Sequence, residues 1–148
     1  MAFGGSLREP SRSRAALAVA LEGARVAGAT VELLDLRELG LATYSPDLEA
    51  DPPAAVGMLI ETCYEADGML WSSQIYNGSV SGSFKNAIDW LHMLGSREPP
   101  YLHDEVIGLI SAVGGTQGLQ VAERFSRDPT LNRRGECDDA AEGVATAR

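Results

Sequence analysis

Apolar and polar positions alternate in blocks along the chain, short apolar runs being followed by longer stretches with helical spacing. Residues 1–3 read as the end of a strand, and Gly4-Gly5-Ser6 as the turn that follows. Ser11 or Ser13 then caps a helix that runs to about Ala27, with Leu17, Leu21 and Val26 among its apolar positions and Gly28 as its stop. Residues 30–36 have the β-branched start and apolar content of a strand, and residues 39–53, rich in Pro, Asp and Ala, form a surface loop. In residues 54–65, Val56, Leu59, Ile60 and Cys63 recur at helical spacing. Residues 68–72 are a short buried strand, and residues 73–82 a polar, Gly-rich stretch. Residues 83–94 form a helix with Phe84, Ala87, Ile88, Leu91 and Leu94 on one face. The clearest strand is residues 106–111, closed by Gly114-Gly115.

Strands that alternate with helices predict βαβ units, hence an α/β fold with a mostly parallel sheet. No internal repeat, low-complexity tract or linker interrupts the pattern, so residues 1–148 are expected to form a single domain. Ligands of such sheets bind at the carboxyl ends of the strands, near the point where strand order reverses. Three loops rich in Gly, Ser and Asn follow candidate strands, at residues 4–13, 73–82 and 114–118. Their equivalent topological positions are the main functional signal in the sequence.

Composition narrows the classes. Acidic residues outnumber basic ones, 21 to 12, for a net charge of −9. That sign disfavours non-specific nucleic-acid binding, which needs basic surface to displace counterions. Cys63 and Cys137 form no CxxC or Cys/His cluster, and with two histidines they are too scattered for a structural zinc site. No segment has the ~20 apolar residues of a membrane span, and the N-terminus lacks the basic and apolar regions of a signal peptide. The expectation is a soluble cytoplasmic protein with reduced thiols.

Each loop carries chemistry and a plainer alternative. In the first, a helix start offers free N–H groups and a positive dipole end, Ser6, Ser11 and Ser13 add hydroxyls, and Arg8 adds a charged fork. That set suits a phosphate, although the loop is neither GxGxxG nor GxxxxGK[ST], and an ordinary polar turn with a Ser cap reads the same way. In the second, Tyr76 offers a face for stacking and Asn77-Gly78 a close backbone approach, but Asn-Gly is also a common hairpin turn. In the third, Gly114-Gly115-Thr116 contours a ligand or simply turns the chain. His92 and His103 read as packing and solvated residues. Lys85 and Asp89 read as a helix-surface pair, and Trp71 and Trp90 as core.

Taken in order and spacing, these loops resemble the NADPH-dependent FMN reductase family of flavodoxin-like proteins. Gly5-Ser6-Leu7-Arg8 with Ser11 and Ser13 resembles that family's phosphate loop. Residues 76–91, YNGSVSGSFKNAIDWL, resemble its longest signature, and residues 111–118 more loosely its third flavin-side loop. The resemblance covers residues 4–120 and implies a flavodoxin-like three-layer sandwich. It implies FMN as cofactor, with its phosphate on Ser6, Arg8, Ser11 and Ser13. The isoalloxazine ring would lie along Gln74, Ile75, Tyr76, Asn77 and Gly78, mainly on backbone groups, with Gly114, Gly115 and Thr116 at its other edge. NADPH or NADH would be the co-substrate, and a flavin, quinone, azo compound or metal oxyanion the small-molecule acceptor. No side-chain catalytic residue is implied, and a homodimer or homotetramer is.

The chain departs from the pattern in several places. Many members carry Pro and Glu at positions 74 and 75 and Pro at 81, where this chain has Gln74, Ile75 and Ser81. The first strand is short, and residues 119–148 contain no strand-like run, so the fourth helix and fifth strand of the family pattern are expected to be missing. That loss would leave residues 106–111 as an unpaired edge. It also supports an alternative reading, a flavodoxin-like interaction protein with weak or no FMN binding.

Overall fold

The computed structural model describes residues 1–99, 102 and 105–112. In chain order the elements are β1 (Ala2–Gly4), α1 (Arg12–Val26), β2 (Leu33–Asp35), α2 (Leu36–Leu39), α3 (Ala54–Tyr64), β3 (Gly68–Ser72), β4 (Ile75–Tyr76), β5 (Ser79–Val80), α4 (Gly82–Trp90) and β6 (Val106–Ile110). Four strands form one parallel sheet in the order β2-β1-β3-β6, and β4 and β5 form a separate antiparallel hairpin. The reversal of direction in strand order falls beside β1, so the β1 and β3 carboxyl ends border the crevice that this topology creates. β1 is only three residues long, yet it pairs on both sides, Phe3 opposite Leu34 and Trp71.

Strand alternation divides the core into two faces. Ala2 and Leu70 face Leu17 and Leu21 of α1. Phe3, Met69 and Trp71 face the other way, against Val56, Leu59, Ile60 and Cys63 of α3 and Phe84, Ala87 and Ile88 of α4. Phe3, Trp71 and Phe84 are fully buried and form one aromatic cluster, with ring centroids 5.3 to 6.0 Å apart. A sheet between helical layers is the flavodoxin-like three-layer arrangement predicted above.

Most elements fall where expected, with three local differences. The strand expected at residues 30–36 is confined to Leu33–Asp35, because Asp35 accepts from Arg37 N–H (3.0 Å) and caps α2 from Leu36 onward. The expected loop at residues 39–53 contains a 3₁₀ turn over Pro46–Leu48. The helix expected to Leu94 ends as an α-helix at Trp90 and tightens into 3₁₀ geometry over Leu91–Ser96. Among the described residues, β6 has a sheet neighbour only on its β3 side, and its Val106 is 75% exposed. The expectations for residues 113–148, including the missing fifth strand, lie outside the described residues.

The α4 signature has a structural logic that its spacing alone conceals. Asn86 and Trp90 lie one turn apart and both donate to the Ala42 carbonyl, at 2.9 and 2.8 Å. Asn86 Oδ1 also accepts from Tyr44 N–H at 2.8 Å, and the Tyr44 ring meets Trp90 edge-on. Together they pin the long connection between α2 and α3 against α4. Asn86→Ala leaves the Tyr44 N–H without its acceptor, so it is expected to lower the unfolding free energy by about 1–3 kcal/mol. Lys85→Ala, on the exposed face of the same helix, is expected to change it by no more than about 0.5 kcal/mol in the same denaturant titration.

Candidate functional site

Two of the three predicted loops meet at the carboxyl ends of β1 and β3. Gly5 is the contact point. Its N–H donates to Ser72 O of β3 at 2.9 Å. Its carbonyl accepts from Gln74 Nε2 (2.9 Å), Ser81 Oγ (3.2 Å) and Ser83 Oγ. A Cβ at position 5 would stand 2.3 Å from Ser81 Oγ and 2.5 Å from the Phe84 Cβ, so only glycine fits.

The predicted phosphate residues gather at the N-terminus of α1. Ser11 is the cap, accepting from Arg14 N–H at 3.1 Å, which settles the choice between Ser11 and Ser13. Ser13 is buried at 4% exposure, and its hydroxyl lies 3.0 Å from Ser11 Oγ. The Ser6 hydroxyl accepts from Arg8 N–H at 3.4 Å. These contacts curl the loop over the start of a 15-residue helix, whose first N–H groups and dipole favour an anion.

Charge is distributed unevenly around this loop. Arg14 is held by Asp35 at 2.9 Å and by Glu9 at 3.5 Å, and Arg37 also pairs with Glu9. Arg25, Arg97 and Lys85 each have a carboxylate partner elsewhere. Among the described residues, Arg8 and Arg12 are the arginine and lysine side chains without an ion pair, and both are exposed beside the α1 N-terminus. In an acidic chain, these two guanidinium groups leave local positive charge at one helix start.

The second loop is the β4–β5 hairpin. Asn77 (φ 51°) and Gly78 (φ 75°) occupy the left-handed region at both central turn positions, the type I′ geometry that Asn-Gly favours. Tyr76 is 57% exposed at its tip and available for stacking, with Asn77 beside it and Ile75 half-buried at the base. Gln74 differs from expectation in how its side chain is used, since the amide nitrogen reaches across to Gly5. Among the described residues, the side-chain oxygen Oε1 of Gln74 has no partner, and neither do the Ser72 and Ser111 hydroxyls at the ends of β3 and β6. Buried polar atoms without protein partners at these strand ends fit a site whose hydrogen bonds are completed by a ligand. Gly114, Gly115 and Thr116 lie outside the described residues.

Sequence reasoning passed over Ser83 and gave Gln74 and Ser81 no side-chain role toward Gly5. Their only signal was that Ser replaces Pro at 81 and Gln replaces Pro at 74 in the family pattern. No group of three or more metal-ligating side chains occurs among the described residues, and none of the helices among them is long and apolar enough to cross a membrane.

The fold and these loops define a flavodoxin-like α/β protein with a Ser-rich loop at the first strand end. The pattern of the NADPH-dependent FMN reductase family matches residues 1–128, and the chain belongs to that family. It is 34% identical over 116 residues to an NAD(P)H:quinone oxidoreductase of Solanum tuberosum, an alignment covering 77% of this chain and 58% of the relative. It is 34% identical over 119 residues to an NADPH:quinone oxidoreductase of Arabidopsis thaliana, covering 79% of this chain and 59% of the relative. The chain therefore spans less than two thirds of the length of these relatives. Among solved structures, a flavoenzyme NAD(P)H:(acceptor) oxidoreductase from Paracoccus denitrificans superimposes with a TM-score of 0.65 at 28% identity, covering 84% of this chain and 67% of that one.

Cys63, on the inner face of α3, is no part of the site. It is 2% exposed, and burial pushes its thiol up to about 12 from an ordinary value of 9.0. The folded state holds the proton more tightly than the unfolded state does, so this group leaves stability unchanged below about pH 9. Above it, unfolding releases a proton and stability falls as pH rises through about 12. Denaturation midpoints followed from pH 8 upward are expected to fall more steeply for the wild type than for Cys63→Ala.

Proposed function

We propose that the protein binds FMN and acts as an NAD(P)H-dependent oxidoreductase that reduces a small acceptor, with quinones the leading class. The observation that carries the reading is the α1 N-terminus. There Ser6, Ser11 and Ser13 lie at the carboxyl end of the central strand, with the exposed Arg8 in the same loop. That arrangement suits a terminal phosphate group. The names of the relatives, quinone and FMN reductases, support the same class.

When bound, FMN supplies hydride and electron chemistry that no protein side chain offers. The protein's part is to hold and orient the group. Arg8 adds a charged donor to the phosphate, and the helix dipole favours its negative charge. Tyr76, Asn77 and Gly78 offer a flat wall and backbone donors to a ring at the β3 end. Gly114, Gly115 and Thr116 close its opposite edge in this reading, and Gly78 and Gly115 are the backbone N–H donors assigned to the reduced ring. Arg14 is committed to Asp35, so Arg12 is the better candidate for contact with the 2′-phosphate on the adenosine ribose of NADPH. A cytoplasmic setting and a homodimer or homotetramer complete the reading, and family resemblance supports them.

Incubation with FMN followed by desalting is expected to leave a yellow protein that NADPH bleaches without oxygen. A folded but colourless protein would instead favour the interaction-protein reading. Arg8→Ala is expected to weaken FMN binding by about tenfold or more, from the loss of a charge-assisted contact. Arg25→Ala, whose side chain pairs with Glu22 far along α1, is expected to leave affinity within about twofold in fluorescence titration.

A further inference from the structure

The hydrogen bonds on the Gly5 carbonyl have a consequence for the peptide that follows it. The Gly5–Ser6 peptide is trans, and a trans peptide is planar with its C=O and N–H pointing in opposite directions. Gln74 Nε2, Ser81 Oγ and Ser83 Oγ draw the Gly5 oxygen toward the start of α4. The Ser6 N–H must then point away from α4, to the side where Ser6, Ser13 and Arg14 line a small cleft beside α1. Among the described residues, no protein acceptor takes that N–H. An unclamped loop could rotate this peptide and turn the donor away from the cleft; three donors on one oxygen oppose that rotation.

We infer that Gln74, Ser81 and Ser83 are positioning residues that set the Ser6 N–H as a fixed donor to the cofactor's phosphate. They act through the Gly5–Ser6 peptide and do not touch the phosphate themselves. The inference rests on the FMN reading above. It assigns the three side chains to phosphate recognition, which distinguishes them from groups that merely hold the fold. Ser81 also caps α4, accepting from Phe84 N–H, and Gln74 belongs to the expected ring wall, so the separable member is Ser83.

The test compares FMN with riboflavin, which has the same ring and lacks the phosphate. Both affinities are measured by fluorescence titration for wild type, Ser83→Ala and the Ser83→Thr variant that keeps the hydroxyl. Ser83→Ala is expected to lose FMN affinity by about fivefold while riboflavin affinity changes less than about twofold, so the FMN-to-riboflavin preference falls. Ser83→Thr is expected to keep the wild-type preference. Equal losses for both flavins, or an unchanged preference in Ser83→Ala, would overturn the positioning role while leaving the FMN reading intact. A wild type that binds neither flavin would overturn the FMN reading and this inference with it.

Discussion

Gly5 sits where two requirements meet that a larger residue cannot satisfy together. The chain must leave the short strand β1, and α4 must come close enough for its first residues to reach the same backbone. The missing side chain admits Ser81 and the Phe84 Cβ, and the carbonyl it exposes becomes the anchor for Gln74, Ser81 and Ser83. Directly beneath, Phe84 stacks against Phe3 and meets Trp71, so the same approach that seats the loop also closes the aromatic core. Stability and site geometry depend here on one close contact. Interiors are packed too densely for an added methylene to go unnoticed at such a place.

From that contact outward, the site is built from loops held by the rigid sheet. The first loop is curled by Ser6 and Ser11 over the dipole of α1, and the second is set by the twist of a type I′ hairpin. Electrostatics complements this scaffold. Carboxylates occupy Arg14 and Arg37 close to the loop, whereas Arg8 and Arg12 keep their charge available. A strongly acidic chain thus retains a small electropositive spot, because charge works locally within a Debye length whatever the net sum.

Much of this was legible from residue order. The period of Leu17 and Leu21, the run of residues 68–72 and the Ser-rich start after Gly5 carried their own local structure. Helix caps, strand alternation and Asn-Gly turns are decided within a few residues. The resemblance at residues 76–91 located α4 correctly but left its reason unseen. Asn86 and Trp90 act on Ala42, more than forty positions away, and no local rule announces such a partner. The shortening of the second strand likewise follows from Asp35 capping the next helix while pairing with Arg14 of the previous one.

The sequence by itself determined the α/β class, the order of the main strands and helices, and the family. Periodicity, turn chemistry and composition act at short range, and they survive in a string of letters. The tertiary structure decided which side chains share an atom. It showed that Ser13 is buried against Ser11, that Gln74 is turned to Gly5, and that Arg14 is neutralised by Asp35 while Arg8 has no ion pair among the described residues. Those outcomes depend on distances between segments that only the folded sheet brings together.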